Sequence, residues 1–322
     1  MNVSDFFNKL ESVAIRLKNG WEPTLGEVCQ LTTKGCTNYK IAIENNHFEC
    51  IHPRDYQLAF DEACGVGSLE IVKRLVEEAN IKPHQHDNVG IHVSSGHGHL
   101  EVVKYLAGLP SVDPLSDDDQ AIDWALWENH VEVVKFLSKY YVFDQYFMEK
   151  LFVDACEAGY IELVKFLEEL MIVVPQRCVD NAITRAIWFK QSEVVIFLTK
   201  FYLNESRALE QIFMDACIHD LLDLIKYLVT LGVNPDFNSN EAIKTACLHN
   251  RLEVVKYLVT LESVNPAANE NEPLMMSLNL DVVKFLTSLD SVKAAGIERA
   301  IRSDDSCCNV PEVTAYLKSL IA

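Results

Sequence analysis

The chain has 322 residues, 49% of them hydrophobic, and a formal net charge of −19. That apolar fraction can build a continuous core, whereas the charge repels phosphate backbones and anionic lipid, disfavouring a nucleic-acid or membrane-surface role. Nowhere do about 18 apolar residues follow one another, and no signal-peptide core opens the chain, so an intracellular protein of cytoplasm or nucleus is expected.

The first element expected is a helix. Phe6, Phe7, Leu10, Val13, Ala14 and Leu17 form one apolar stripe, which Ser4 can start and Gly20 can stop. Next, Ala42-Ile43-Glu44-Asn45-Asn46-His47-Phe48-Glu49 parallels Ala125-Leu126-Trp127-Glu128-Asn129-His130-Val131-Glu132. It reads as a degenerate copy of a later unit, its second helix cut short by Pro53. Residues 1–57 are therefore expected to be a cap made of one helix and one imperfect repeat.

From residue 58 to 322 one unit recurs. Leu100-Glu101-Val102-Val103-Lys104-Tyr105-Leu106 returns almost unchanged at 131–137, 161–167, 252–258 and 280–286. Its acidic residue falls at 70, 101, 132, 162, 193, 223, 253, 281 and 312, in steps of 30 or 31 save one of 28. Such a period marks a solenoid, in which each unit buries its apolar face against the next.

Each unit holds two helical segments. Ile122, Ala125 and Leu126 share one face of the first, and Val131, Val133, Val134, Phe136 and Leu137 make the apolar set of the second. The short Glu128-Asn129-His130 link makes the pair antiparallel. Asn88, Asp119, Asp180, Asn240 and Asn271 stand where a side-chain oxygen could cap the first helix. Val112-Asp113-Pro114, Val233-Asn234-Pro235 and Val264-Asn265-Pro266 connect successive units, the proline preventing continuation of the helix before it. Towards the end, the shorter spacing from Asn271 to Asp281 removes about one turn of a first helix. The last unit instead lengthens its inner loop through Ser303 to Asn309, and Pro311 restarts a terminal helix.

Ser95-Gly96-His97-Gly98-His99-Leu100-Glu101-Val102-Val103-Lys104-Tyr105-Leu106 resembles the inter-helix turn and second helix of the ankyrin repeat, and Gly65-Val66-Gly67-Ser68-Leu69-Glu70 is a second match. The family's Thr-Pro-Leu-His opening survives only as its histidine, His92, and Gln120-Ala121-Ile122-Asp123 keeps none of it. The resemblance gives His92 a packing role and implies an all-α, ankyrin-type solenoid of antiparallel helix pairs. A period below about 33 residues places the deficit in the finger loops, which are shortened. Compact, Val-Asx-Pro-linked repeats of this style resemble arrays of amoebae and giant viruses.

Chemical motifs are scarce. There is no phosphate-cradling loop, no Gly-x-Ser-x-Gly, no His-Glu-x-x-His and no Cys-x-x-Cys, so neither an enzyme nor a cofactor is expected. Cys64, Cys156, Cys217 and Cys247 each follow an alanine, at a place that holds Ser95, Leu126 and Ile187 in other units. A position accepting such different residues is a packing position, and these thiols are expected to be buried and reduced. Cys29, Cys36, His47 and Cys50 could supply a zinc ligand set, but their spacing fits no dependable zinc motif. His84, His86, His92, His97 and His99 crowd together through ordinary repeat positions, so no metal is expected there either.

The functional signal lies at the last turn of the first helices, which ankyrin-family proteins turn towards partners on their concave side. It comprises Trp127, Glu128, Trp188, Phe189, Ile218, His219, Leu248 and His249, joined by the acidic finger residues Asp117 and Asp118. Large apolar residues stand where a solvated face would carry Lys, Glu or Asn, and aromatics are favoured interface anchors. The competing reading packs them between repeats. A protein-binding scaffold for a polypeptide, with a basic one allowed by the charge, is expected, the alternative being a structural component of a larger assembly.

Overall fold

The computed structural model describes residues 39–44, 46–48, 51–84, 88–141, 144–171, 173–292, 294–302 and 310–321. The cap helix expected near residues 4–20, the loop 303–309, and Cys29, Cys36, Cys50 and His86 lie outside them. Among the described residues there is no strand. The chain divides into two compact units, 1–143 and 144–322.

In the first unit α1 (Tyr39–Glu44) precedes three helix pairs: α2 (Tyr56–Val66) with α3 (Leu69–Glu77), α4 (Val89–Gly96) with α5 (Leu100–Ala107), and α6 (Ser116–Trp127) with α7 (Val131–Leu137). The second unit holds α8 (Gln145–Ala158) with α9 (Ile161–Leu170), α10 (Gln176–Trp188) with α11 (Ser192–Leu198), and α12 (Ser206–His219) with α13 (Leu222–Thr230). It continues with α14 (Phe237–Leu248) and α15 (Leu252–Val259), α16 (Ala268–Met276) and α17 (Leu280–Thr287), then α18 (Ala294–Arg302) and α19 (Pro311–Ile321). Within each unit the even-numbered helices stack in one layer, which α1 joins by packing on α2, and the odd-numbered helices from α3 onward form the second layer behind them.

The repeated motif explains the second layer. Val102, Val103 and Leu106 are buried and face one way on α5, while Glu101 pairs with Lys104 on the solvent side at 2.7 Å. The same Glu–Lys pairs recur at 132 and 135, 162 and 165, and 253 and 256, all exposed. Exposed pairs of this kind contribute little, so burial of the Val-Val-Leu triplets stabilises the layer. In the first layer Ala63, Ala125, Ala155, Ala186, Ala216 and Ala246 are buried, as their position requires. Their neighbours Cys64, Cys156, Cys217 and Cys247 are buried free thiols. Burial pushes the Cys64, Cys156 and Cys217 thiols well up and that of Cys247 up to about 12, which keeps them protonated and inert.

The first helices from α2 to α14 are each followed by a left-handed residue: Gly67, Gly98, Asn129, Gly159, Lys190, Asp220 and Asn250 all have positive φ, whereas α16 ends on the extended Ser277. Glycine and asparagine tolerate that conformation, while Lys190 holds it at a cost. Two residues later begins the motif, and the residue between them reaches back to the preceding repeat. His99 Nε2 donates to the Gly65 carbonyl at 2.8 Å, and His130 Nε2 to that of Gly96 at 3.0 Å. In the second unit Gln191 Nε2 donates to Glu157 O at 3.3 Å and Arg251 Nε to Ile218 O at 2.8 Å. Carbonyls at the end of a helix have no partner in their own helix, so these side chains satisfy them and bind repeat to repeat. Leu221 has no donor for this role. Asn279 instead caps its own helix, accepting from Asp281 N and Val282 N.

The expected Asx caps are corrected. Asn88, Asn240 and Asn271 carry left-handed backbone angles, with no side-chain cap bond in their helices. Asn240 and Asn271 each end a run of three left-handed residues, and Asn240 Oδ1 accepts from Asn265 N of the next connector at 2.7 Å. Asp180 lies inside α10, where its carboxylate accepts from Gln176 Nε2 and from the Tyr202 hydroxyl. Asp119 lies inside α6. The side chain that does cap is Asp144, which accepts from Phe147 N at 2.7 Å and opens α8. In the connectors the Asx side chains close tight turns instead, Asp113 and Asn265 accepting from Leu115 N and Ala267 N. The shortened first helix is present, because left-handed Asn269, Glu270 and Asn271 interrupt α16 and its regular part runs only from Glu272 to Met276, and Pro311 opens α19.

Candidate functional site

At the end of the first helices a buried row and an exposed row share one turn. Ala125-Leu126, Ala186-Ile187 and Ala246-Cys247 are buried, and the residues that follow them turn outward. Trp127 is 81% exposed, Trp188 68%, Phe189 54% and Leu248 42%. These side chains are not packed between repeats. Glu128 and His249 are exposed as well, whereas Ile218 and His219 are half-buried.

In the first unit Trp127 and Glu128 line a cleft of about 430 Å³ together with Gly96, His97 and Trp124. A Cβ on Gly96 would stand 2.9 Å from the Trp124 ring, so glycine is what lets that indole lie against α4. His97 Nδ1 lies 2.8 Å from the Val93 carbonyl. A carbonyl only accepts, so Nδ1 carries the proton and Nε2 of the neutral ring is an acceptor. The sequence alone assigns neither Trp124 nor His97 to the candidate interface. The signals were available: Trp124 precedes Trp127 by one helical turn, and His97 occupies in its repeat the place of Glu128 in the next.

In the second unit Trp188, Phe189, Ile218, His219, Leu248 and His249 come from the ends of α10, α12 and α14, which pack in succession. The Trp188 and His219 rings lie 5.3 Å apart, tilted by 52°. Burial holds the His219 imidazole below the usual histidine range; Asp215 opposes that shift, and Arg251, Lys190 and His249 add to it. His219 thus favours its neutral form beside the indole. Asp215 itself is raised, chiefly by burial. At the next step the row closes, since Ser277 is buried and donates to Pro273 O at 2.8 Å.

Asp117 and Asp118 fall in the first turn of α6, outside the described side chains. His92 is buried, in keeping with packing. His99 and His130 spend a ring nitrogen on the preceding repeat, which makes them structural. Among the described residues no group of three or more His, Cys, Asp or Glu is arranged to hold a metal ion, and no helix is long and apolar enough to cross a membrane.

The family model for ankyrin repeats, three copies long, matches residues 60–150 and again 213–295, together more than half of the chain. The chain belongs to the ankyrin-repeat family. A search of curated proteins returns no match. The gap between the two matched stretches contains α10 and the first half of α12, first helices of 13 and 14 residues that begin without a Val-Asx-Pro connector. The ankyrin pattern is therefore strongest where the connectors are compact, and the gap still builds stacked pairs of the same kind. Ankyrin repeats are generally protein–protein interaction modules, and an all-α ankyrin-type solenoid is the fold found here.

Proposed function

We propose that this ankyrin-repeat protein is a non-catalytic interaction module that holds a polypeptide along its first-helix and finger face. One observation carries the reading: Trp188 and Phe189 at the end of α10 and Leu248 at the end of α14 are large, apolar and exposed on one stack of helices. Rigid aromatics presented from a packed scaffold lose little entropy on binding, which makes them effective anchors. Trp127 and Glu128 extend the same role to the first unit, and Asp117 and Asp118 steer a basic partner. Residues 1–57 act as a cap on the array of 58–322, with neither cofactor nor metal needed.

Affinity purification with mass spectrometry, run in parallel on wild type and Trp188→Ala, tests this. A partner bound by wild type should bind the variant at least about thirtyfold more weakly, the equivalent of about 2 kcal/mol for a buried aromatic anchor. Helix content and melting midpoint should stay unchanged. Equal recovery of the same partners by both proteins would remove the row from the interface. Recovery of self-copies alone would favour the assembly role instead.

A further inference from the structure

We propose that the cleft between α4 and α6 receives a cationic side chain of a polypeptide partner, an arginine guanidinium being the occupant it fits best. This deepens the polypeptide-binding reading and rests on it.

The lining decides the chemistry. Trp124 and Trp127 contribute two indoles, 45% and 81% exposed, from one face of α6. Indole rings present a negative π face, and a planar guanidinium stacks on it more effectively than any neutral group of its size. Glu128 follows directly at the end of the same helix, placing an exposed carboxylate at the rim. A carboxylate and a guanidinium can join through two parallel hydrogen bonds, which a lysine ammonium cannot match.

The remaining groups agree. His97, its Nδ1 committed to the Val93 carbonyl, has only an acceptor to offer in its neutral form. The Gly96 carbonyl is already taken by His130. None of the described residues lining the cleft is a lysine or arginine that would compete for Glu128. A volume of about 430 Å³ lies within the range of ligand-binding clefts, and the formal charge of −19 draws cations towards the molecule from a distance. An anionic or purely aliphatic group would find repulsion or an unfilled carboxylate here.

The four tryptophans of the chain give a direct readout, because each indole N–H yields one nuclear magnetic resonance signal that single Trp→Phe variants assign. The full chain is titrated with acetyl-Gly-Arg-Gly-amide, with the same peptide carrying citrulline, and with the lysine version. Citrulline keeps the planar shape and removes the charge. The arginine peptide should shift the Trp124 and Trp127 signals saturably and leave Trp188 unmoved. Citrulline should weaken binding at least tenfold, lysine should bind more weakly than arginine, and Glu128→Gln should weaken the arginine peptide at least fivefold while flattening its salt dependence.

Equal binding of the citrulline peptide, an unchanged affinity in Glu128→Gln, or no saturable shift at Trp124 and Trp127 would each overturn the proposal. If that happens while protein partners are still lost on Trp188→Ala, only the cation cleft falls. If no partner depends on Trp188 either, the polypeptide-binding reading falls with it.

Discussion

Ala186-Ile187 and Trp188-Phe189 are neighbours in one turn of α10, yet the first pair is buried and the second projects into solvent. The same division separates Ala125-Leu126 from Trp127-Glu128 and Ala246-Cys247 from Leu248-His249. One turn of helix thus serves two ends. Its inner side fixes the spacing between repeats, where even a methylene matters. Its outer side projects into solvent, where packing constrains size and chemistry less. Hydrophobicity does not distinguish the two rows. What does is direction, set by a left-handed residue after each helix and by the side chain that follows it, His130, Gln191 or Arg251, which donates to a carbonyl of the preceding repeat.

The largest effect expected from this contrast is on stability. Ala186→Leu adds bulk at a fully buried helix contact and should destabilise the second unit by about 1–3 kcal/mol. Phe189→Ala, three residues away on the exposed side, should change stability by no more than about 0.5 kcal/mol. Urea unfolding of the two variants measures both. If Phe189→Ala is the more damaging, the outer row belongs to the core and the division drawn here is wrong.

Most of the fold is legible in the sequence because burial repeats with the period. The Val-Val-Leu triplets, the alanine row and the buried cysteines can each be located by offset from Glu101 alone. The helix starts were less legible. Asn240 and Asn271 have the composition of caps, but asparagine is suited both to capping and to left-handed backbone, and local composition cannot choose between them. Only the contact of Asn240 with the next connector reveals which is used. Asp180 shows the same ambiguity resolved differently, as a mid-helix carboxylate held by Gln176 and Tyr202. On the exposed row, sequence offsets picked out Trp127 and Trp188 but not Trp124. Whether an apolar helix residue faces the core or a cleft depends on its neighbour, and here that neighbour is the side-chain-free Gly96.

A smaller effect is expected at the turn between the rows. Lys190 holds φ 61° where Gly98 and Gly159 stand in their repeats. Lys190→Gly removes left-handed strain and should stabilise the second unit by about 1 kcal/mol. Its exposed position leaves no packing to lose. A loss of stability would mean that the lysine side chain contributes contacts of its own, and the turn would then belong with the inner row.

The smallest effect concerns His219, which bridges the two rows. Burial is the main reason its imidazole titrates below the usual histidine value, with Arg251, Lys190 and His249 acting the same way and Asp215 against them. Between the folded value and about 6.5 the unfolded chain therefore binds more protons than the folded one. Stability should rise with pH through that window and be lost as the pH falls through it. His219→Gln removes this contribution, so the difference in urea midpoint between pH 7.5 and 5.5 should be smaller in the variant than in wild type. Lys190→Gly should narrow the window too, since one of the cations opposing protonation is gone. An identical pH response in wild type and His219→Gln would place the imidazole wholly in solvent, and Trp188 would then stand on the outer row without support from the core.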